Sequence, residues 1–218
     1  MNKSLYRRAQ FVLGAAGASQ FPEDVGAEAA FAGRSNAGKS SALNTIADQR
    51  SLARVSKSPG RTQQINFFEV DAARRLVDLP GYGYAKTPAS VRKQWDKLMS
   101  DYFQSRQSLK GVVLISDIRR PIGEGDQHML AYCLSINLPV HILLSKADKL
   151  SRGAGSAARL QAQQSVKKMA SEQSLSAELV SMQLFSSLKK TGLAEAITQL
   201  DKWLLNEDEL ELIYGKDK

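Results

Sequence analysis

Cysteine is nearly absent. A single one, Cys133, stands among 218 residues, so no internal disulfide can form and a reducing, cytoplasmic setting is expected. Its neighbours Met129, Leu130 and Leu134 share a helical pattern that assigns the thiol to a core, not to reactive chemistry. No run approaches 18 apolar residues, which excludes a membrane-spanning helix. The start Met-Asn-Lys-Ser has neither the apolar stretch of a signal peptide nor the Met-Gly of a myristoylation site, and the end has no prenylation cysteine. Histidine is scarce too. Of the two, His141 sits in an apolar run, where a packed, hydrogen-bonded ring is expected ahead of a catalytic one, and His128 on a polar helix start should be exposed. Internal repeats and low-complexity tracts are missing. Acidic residues fall short of basic ones, 22 against 30, for a formal charge of +8 and a pI near 9.6. That surplus suits an anionic partner, nucleic acid before membrane, because no strongly amphipathic basic helix accompanies it.

What is present begins with Gly33-Arg34-Ser35-Asn36-Ala37-Gly38-Lys39-Ser40, which fits Gly-x-x-x-x-Gly-Lys-Ser between the apolar run Ala29–Ala32 and a helix-forming run over 41–47. This is a phosphate-binding loop: glycines let successive amides point inward, and the next helix adds the positive end of its dipole. Lys39 would reach the β and γ phosphates, and the Ser40 hydroxyl would bind Mg²⁺. Residues 48–62 are polar, without periodicity, and read as a mobile loop. Runs over 65–70 and 76–79 form an antiparallel pair around a short turn. Thr87-Pro88 opens a helix reaching about Arg106, and helices follow at about 126–135, 153–171 and 193–205, with strands at 112–115, 140–144 and 179–185. Alternating strands and helices imply a three-layer α/β/α fold: a mostly parallel six-stranded sheet, one strand antiparallel, helices on both faces and the ligand at the carboxyl ends of the strands. Residues 1–26 read as an extension packing through Phe11, Val12, Leu13 and Phe21, 27–205 as the domain, and 206–218 as an acidic tail with at most a helix extension.

Three further segments narrow the chemistry. Asp78-Leu79-Pro80-Gly81 ends a hydrophobic strand thirty-nine residues after Lys39. There Asp78 can hold Mg²⁺ through water and the Gly81 amide can meet a γ phosphate. Ser145-Lys146-Ala147-Asp148 follows another buried strand. The Asp148 carboxylate can accept from guanine N1–H and the 2-amino group together, whereas adenine offers neither donor, so guanine is expected; Lys146 would lie along the base and brace the loop. Phe185, Ser186 and Ser187, with Leu188 and Lys189, would close over the base with amides toward O6, although alone they form an ordinary serine loop.

In order, these segments resemble the translation-factor-like class of GTPases over nearly the whole chain. Gly-Arg-Ser-Asn-Ala-Gly-Lys-Ser-Ser, Ser-Pro-Gly-Arg-Thr-Gln, Asp-Leu-Pro-Gly-Tyr-Gly-Tyr-Ala and Phe-Ser-Ser-Leu-Lys-Lys look more closely like the EngB family of bacterial ribosome-assembly GTPases. The resemblance implies a first switch of Gly60, Arg61, Thr62, Gln63 and Gln64, with the Thr62 hydroxyl joining Mg²⁺ only when a γ phosphate is present, and a second switch of Asp78 to Gly81. Lys39, Thr62 and Gly81 then carry the catalysis of GTP hydrolysis to GDP. It further implies a role in maturation of the large ribosomal subunit and in septation; separately, a monomer is expected. Two departures stand out: Ser145 where many GTPases have Asn or Thr, and Tyr82 where Ras-like switches place a water-orienting glutamine, which implies slow unassisted turnover. Asn36 occupies the place where potassium-activated relatives hold a cation, so K⁺ stimulation is a secondary expectation. Between residues 50 and 97 stand ten basic residues against four acidic, a surplus that could meet ribosomal RNA or be a plain solvated face. A GTP-dependent protein-binding switch at division and an ATP-using enzyme are the competing classes; Asp148 argues against the second.

Overall fold

The computed structural model of the chain describes residues 3–53, 64–83 and 89–215. Among the described residues, seven strands form one sheet: β1 (Gln10–Ala15), β2 (Ala27–Gly33), β3 (Ile65–Asp71), β4 (Arg74–Asp78), β5 (Leu109–Asp117), β6 (Val140–Ser145) and β7 (Val180–Leu184). Their order is β1-β3-β4-β2-β5-β6-β7. β3 pairs antiparallel with both β1 and β4, and every other pairing is parallel, so only β3 runs against the rest. The helices are α1 (Lys3–Tyr6), α2 (Lys39–Ile46), α3 (Ala89–Ser105), α4 (Glu124–Ser135), α5 (Arg152–Glu172), α6 (Leu193–Leu204) and α7 (Glu207–Tyr214).

Alternation along the central strands builds a core on each face, because successive side chains of a strand point opposite ways. On one face Ala30, Ala32, Val112, Leu114, Ile142 and Leu144 pack under α3, α4 and α5. On the other, Ala29, Phe31, Val113, Ile115 and Leu143 pack under α2 and α6, with Leu5 and Tyr6 added from α1. Both faces being covered, these strands read as unbroken apolar runs, as parallel strands do. Cys133 is buried, and burial pushes its thiol up to about 12. His141 is packed as expected, Nδ1 2.7 Å from Ser181 Oγ and Nε2 2.8 Å from Gln183 Oε1.

The expected six strands are corrected to seven. The added one, β1, comes from the N-terminal extension and covers the free edge of β3, with Phe11 edge-on to Phe68 at 5.9 Å. It escapes a pattern search because its first three residues are exposed and its register slips between Phe11 and Leu13, so no apolar alternation marks it. The acidic tail is also more than an extension of α6. The chain breaks at Leu205 and restarts as α7, capped reciprocally by Asn206 and Glu209 at 2.9 and 3.0 Å. Three of its four acidic residues, Glu207, Asp208 and Glu209, fall in the first turn, where the helix dipole favours them.

One buried charge organises the side remote from the strand ends. Glu28 on β2 is 0% exposed. It accepts from Tyr102 Oη (3.2 Å), Arg106 Nε (3.2 Å) and Arg75 (3.4 Å), and pairs with the second Arg106 arm. Burial and the neighbouring Glu28 charge raise the Tyr102 phenol well above its ordinary range.

Candidate functional site

The carboxyl ends of β2, β4, β5 and β6 gather the residues singled out above, and that is where open α/β sheets place ligands. β2 ends at Gly33 and α2 begins at Lys39, so residues 33–38 form the connecting loop. Gly38 caps α2 with φ +103°, which a side chain would strain. Asn36, at φ +64°, supplies the second left-handed residue of the loop, a role asparagine tolerates. The first turn of α2 holds no acidic residue and no side-chain cap. Its amides therefore face the loop without a built-in acceptor, as an anion site requires.

Lys39 Nζ is paired with the carboxylate of Asp78, the last residue of β4, and both side chains are largely buried. The groups assigned to phosphate and to metal are thus in mutual contact beside the loop. Leu79 N–H donates to Phe31 O at 3.0 Å, extending the β4–β2 pairing past the strand end. Gly81 then lies against the phosphate loop, where a Cβ on it would come within 3.2 Å of Ser35 Oγ. That hydroxyl is enclosed and, among the described residues, has no hydrogen-bond partner.

The base segment grips the same loop from behind. Ser145 Oγ donates to Ala37 O at 2.5 Å. Lys146, at the left-handed φ of +60°, donates from Nζ to Asn36 O at 2.7 Å and to Asp117 Oδ2 at 2.8 Å. The bracing expected of Lys146 is therefore present, and Ser145, which departs from the common Asn or Thr, makes a loop contact of its own. Asp148 sits in a 3-10 turn over 147–149, where Oδ1 accepts from Ser186 Oγ at 2.6 Å. That hydroxyl holds its carboxyl below the usual range, so it is an ionised acceptor at neutral pH. Ala147 N–H donates to Phe185 O at 3.0 Å, and Ser186 Oγ accepts from Lys189 N–H at 3.1 Å. The 145–148 and 185–187 segments are thereby joined into one rim, with Ser187 in the turn that leaves it.

Gly60, Arg61, Thr62 and Gln63 lie outside the described residues. Gln64 is described: its side chain lies over Gly14 of β1, where a Cβ would meet Oε1 at 2.6 Å.

Two groups escaped the reading by motif. Asp117 ends β5, and its carboxyl is held well below the ordinary range by the Arg119 guanidinium and by Lys146. Its place at the carboxyl end of a parallel strand was the available signal. Asp126, 1% exposed at the start of α4, accepts from Tyr82 Oη at 2.8 Å and Ser116 Oγ at 2.9 Å. Desolvation raises its carboxyl, although these bonds offset part of the rise. A cavity of about 410 Å³ beside the loop is lined by Arg34 to Ala37, Asp117, Arg119, Arg120, Asp126 and Lys146.

The donor set fits a magnesium nucleotide. Ser40 and Asp78 are hard oxygen donors, and among the described residues no three His, Cys, Asp or Glu side chains converge into a cage. Mg²⁺ bound mainly through phosphates and water needs no such cage. Ser35 Oγ, buried between the loop and Gly81 without a partner among the described residues, is placed for a group arriving at the phosphate end.

The chain is similar in sequence and fold to known proteins. A model of the family described as 50S ribosome-binding GTPase matches residues 28–146, from β2 to the lysine of the base segment. A Hydrogenovibrio crunogenus protein named as a probable GTP-binding protein EngB is 50% identical over 204 residues, 94% of this chain and 93% of the relative. One of the same name from Francisella tularensis subsp. tularensis is 50% identical over 198 residues, 91% of this chain and 98% of its own. A crystal structure of a probable GTP-binding protein engB superposes with a TM-score of 0.61 at 19% identity, over 82% of this chain and 98% of the other. At that identity the likeness shows the fold alone.

Proposed function

The chain belongs to the EngB family of P-loop GTPases, and from that premise we propose that it is a GTP-timed switch assisting assembly of the large ribosomal subunit. It binds guanine nucleotide and hydrolyses GTP, as its family does. The observation that carries the site assignment is the joining of two distant segments at one loop: Ser145 and Lys146 hold the carbonyls of Ala37 and Asn36, and Asp148 is set in the adjoining rim.

In this reading residues 27–205 form the GTPase unit. The loop amides of 33–40 and the Lys39 ammonium take the β and γ phosphates, Lys39 exchanging its Asp78 partner for them. The enclosed Ser35 hydroxyl turns to a γ-phosphate oxygen, and Asp148 accepts from guanine N1–H and the 2-amino group. Ser40 and Thr62 would hold Mg²⁺ directly and Asp78 through water; the ion supplies charge neutralisation between the β and γ phosphates. Gly81 follows the γ phosphate inward and relaxes once water has attacked the γ phosphorus, the bond to the GDP oxygen has broken and inorganic phosphate leaves; the Thr62 hydroxyl would join Mg²⁺ only while the γ phosphate is there. Asn36 is the residue through which K⁺ would act, and equal single-turnover rates in K⁺ and Na⁺ would remove that role.

The ribosomal output is supported by the family's description and by the ten basic residues between 50 and 97. RNA contact by such a face is salt-dependent through counterion release. The test is cosedimentation with large-subunit particles under GDP or a non-hydrolysable GTP analogue. Retention in one nucleotide state, weakening with salt, supports the proposal; equal retention in both states or indifference to salt contradicts it. A second reading, a protein contact at division, draws on an apolar groove of about 570 Å³ beside Tyr82, lined in part by Trp95, Met99, Phe103 and Tyr132. Binding of a septal protein without RNA would favour it.

A further inference from the structure

Tyr82 follows the second-switch glycine, and its side chain reaches across to the start of α4. Its carbonyl accepts from Ser35 N–H at 3.0 Å, and its hydroxyl donates to Asp126 Oδ1 at 2.8 Å. The ring stands edge-on to Trp95 at 6.2 Å, while Trp95 Nε1 donates to Pro80 O at 3.3 Å. Asp126 is itself fixed: Oδ2 accepts from Ser116 Oγ at 2.9 Å and from Gly123 N–H at 3.2 Å, and Ser116 Oγ accepts from Ile122 N–H at 3.0 Å. The ring is seated only because residue 125 is glycine, since a Cβ there would lie 2.8 Å from Tyr82 Cδ2. Backbone 80–82 is therefore pinned at three points, to the phosphate loop, to α3 and to the start of α4, with Gly81 between them.

We propose that Tyr82 is a positioning residue: by its hydrogen bond to buried Asp126 it holds the Gly81 amide in register with the phosphate loop and ties the second switch to α4. This rests on the assignment of Gly81 to the γ phosphate made above. The position that elsewhere orients water serves here as a tether, and γ-phosphate recognition is coupled to the face formed by α3 and α4. A buried hydroxyl–carboxylate bond is strong enough for such a role, because coupling between sites commonly amounts to about 5- to 150-fold in affinity.

Two substitutions loosen the tether while sparing the fold. Tyr82→Phe removes only the hydroxyl. Gly125→Ala displaces the ring while improving the helix propensity of α4. Fluorescent GDP and a fluorescent non-hydrolysable GTP analogue are titrated against the full chain, each variant, the double variant and Lys39→Ala. The expected result is a loss of about fivefold or more in affinity for the GTP analogue in each single variant, GDP affinity within about twofold, and a double variant no worse than the worse single one. Equal losses for both nucleotides, no loss for either, or fully additive effects would overturn the tether. The site assignment is judged separately: if Lys39→Ala weakens neither nucleotide, that assignment falls, whereas if it weakens both and Tyr82→Phe changes nothing, only the tether falls.

Discussion

Replacing Ser35 with alanine should move two measured quantities in opposite directions. The Ser35 hydroxyl is enclosed against Gly81 with no partner among the described residues. A buried unpaired hydroxyl costs about 1–3 kcal/mol, and part of that returns when the group is deleted. Taking about 1 kcal/mol as recovered, a domain of this size gains roughly 2–4 °C in Tm. With a γ phosphate bound, the same hydroxyl would donate to a charged oxygen, a contact contributing about 1.5–3 kcal/mol. Ser35→Ala should therefore lose roughly 10- to 100-fold in affinity for a non-hydrolysable GTP analogue. GDP, which brings no γ oxygen to that point, should bind as before. Thermal melts of the free protein and titrations with both nucleotides read the two effects. A lower Tm with unchanged affinities would refute the reasoning, because the hydroxyl would then be structural.

Glu28→Ala removes the buried carboxylate from Arg106, whose side chain is only 3% exposed, leaving it Asp24 at 3.5 Å and the Pro22 and Glu23 carbonyls. Breaking a buried pair from one side costs about 3–5 kcal/mol when the remaining charge is left bare, so with these partners kept urea unfolding should shift by no more than that, and a loss below about 1 kcal/mol would contradict the pairing. Burial lowers the pKa of His141 below its ordinary value near 6.5. The unfolded chain then binds the proton more readily, so this contribution to stability is present above pH 6.5 and is lost as pH falls through the lower folded value. The raised Asp126 acts oppositely, so the His141 part is isolated by comparison with His141→Gln, whose stability should fall less between pH 7 and 5; parallel curves would dismiss it. Because the hydroxyl of the side chain after Gly81 is engaged by Asp126, unassisted turnover should fall near 10⁻⁴ to 10⁻³ s⁻¹, as in an unstimulated Ras-type switch. A single-turnover rate near 1 s⁻¹ without a partner would be incompatible with that.

Much of this architecture is legible before any coordinates, for a physical reason. The central strands are buried on both faces, so Val112–Ile115 and Val140–Leu144 read as apolar runs, and the loop between β2 and α2 must satisfy backbone rules that few sequences meet. Segments whose stability comes from distant partners are harder to read. β1 owes its strand state to the open edge of β3, and its side chains are mostly exposed. Glu28 lies in an alanine-rich strand and looks out of place until Tyr102, Arg106 and Arg75 are brought to it from elsewhere in the chain. Asp126 looks like an ordinary acidic residue near a helix start, and only the fold reveals that Tyr82 and Ser116 reach it. The Ser145-Lys146-Ala147-Asp148 segment was assigned to the base by its chemistry; its grip on Asn36 and Ala37 is a matter of topology.

Guanine selection in this site falls to the Asp148 carboxylate. Competition of GTP, ATP and XTP for the unaltered chain and for Asp148→Asn tests it directly. Opposite adenine the carboxylate would meet no base donor and be desolvated without compensation from the ligand, so the unaltered chain should prefer GTP over ATP by on the order of 10⁴-fold. Asp148→Asn should lose that preference and gain affinity for XTP, whose C2 carbonyl can accept from the new amide. An unchanged preference for GTP over both competitors after the substitution would contradict the claim.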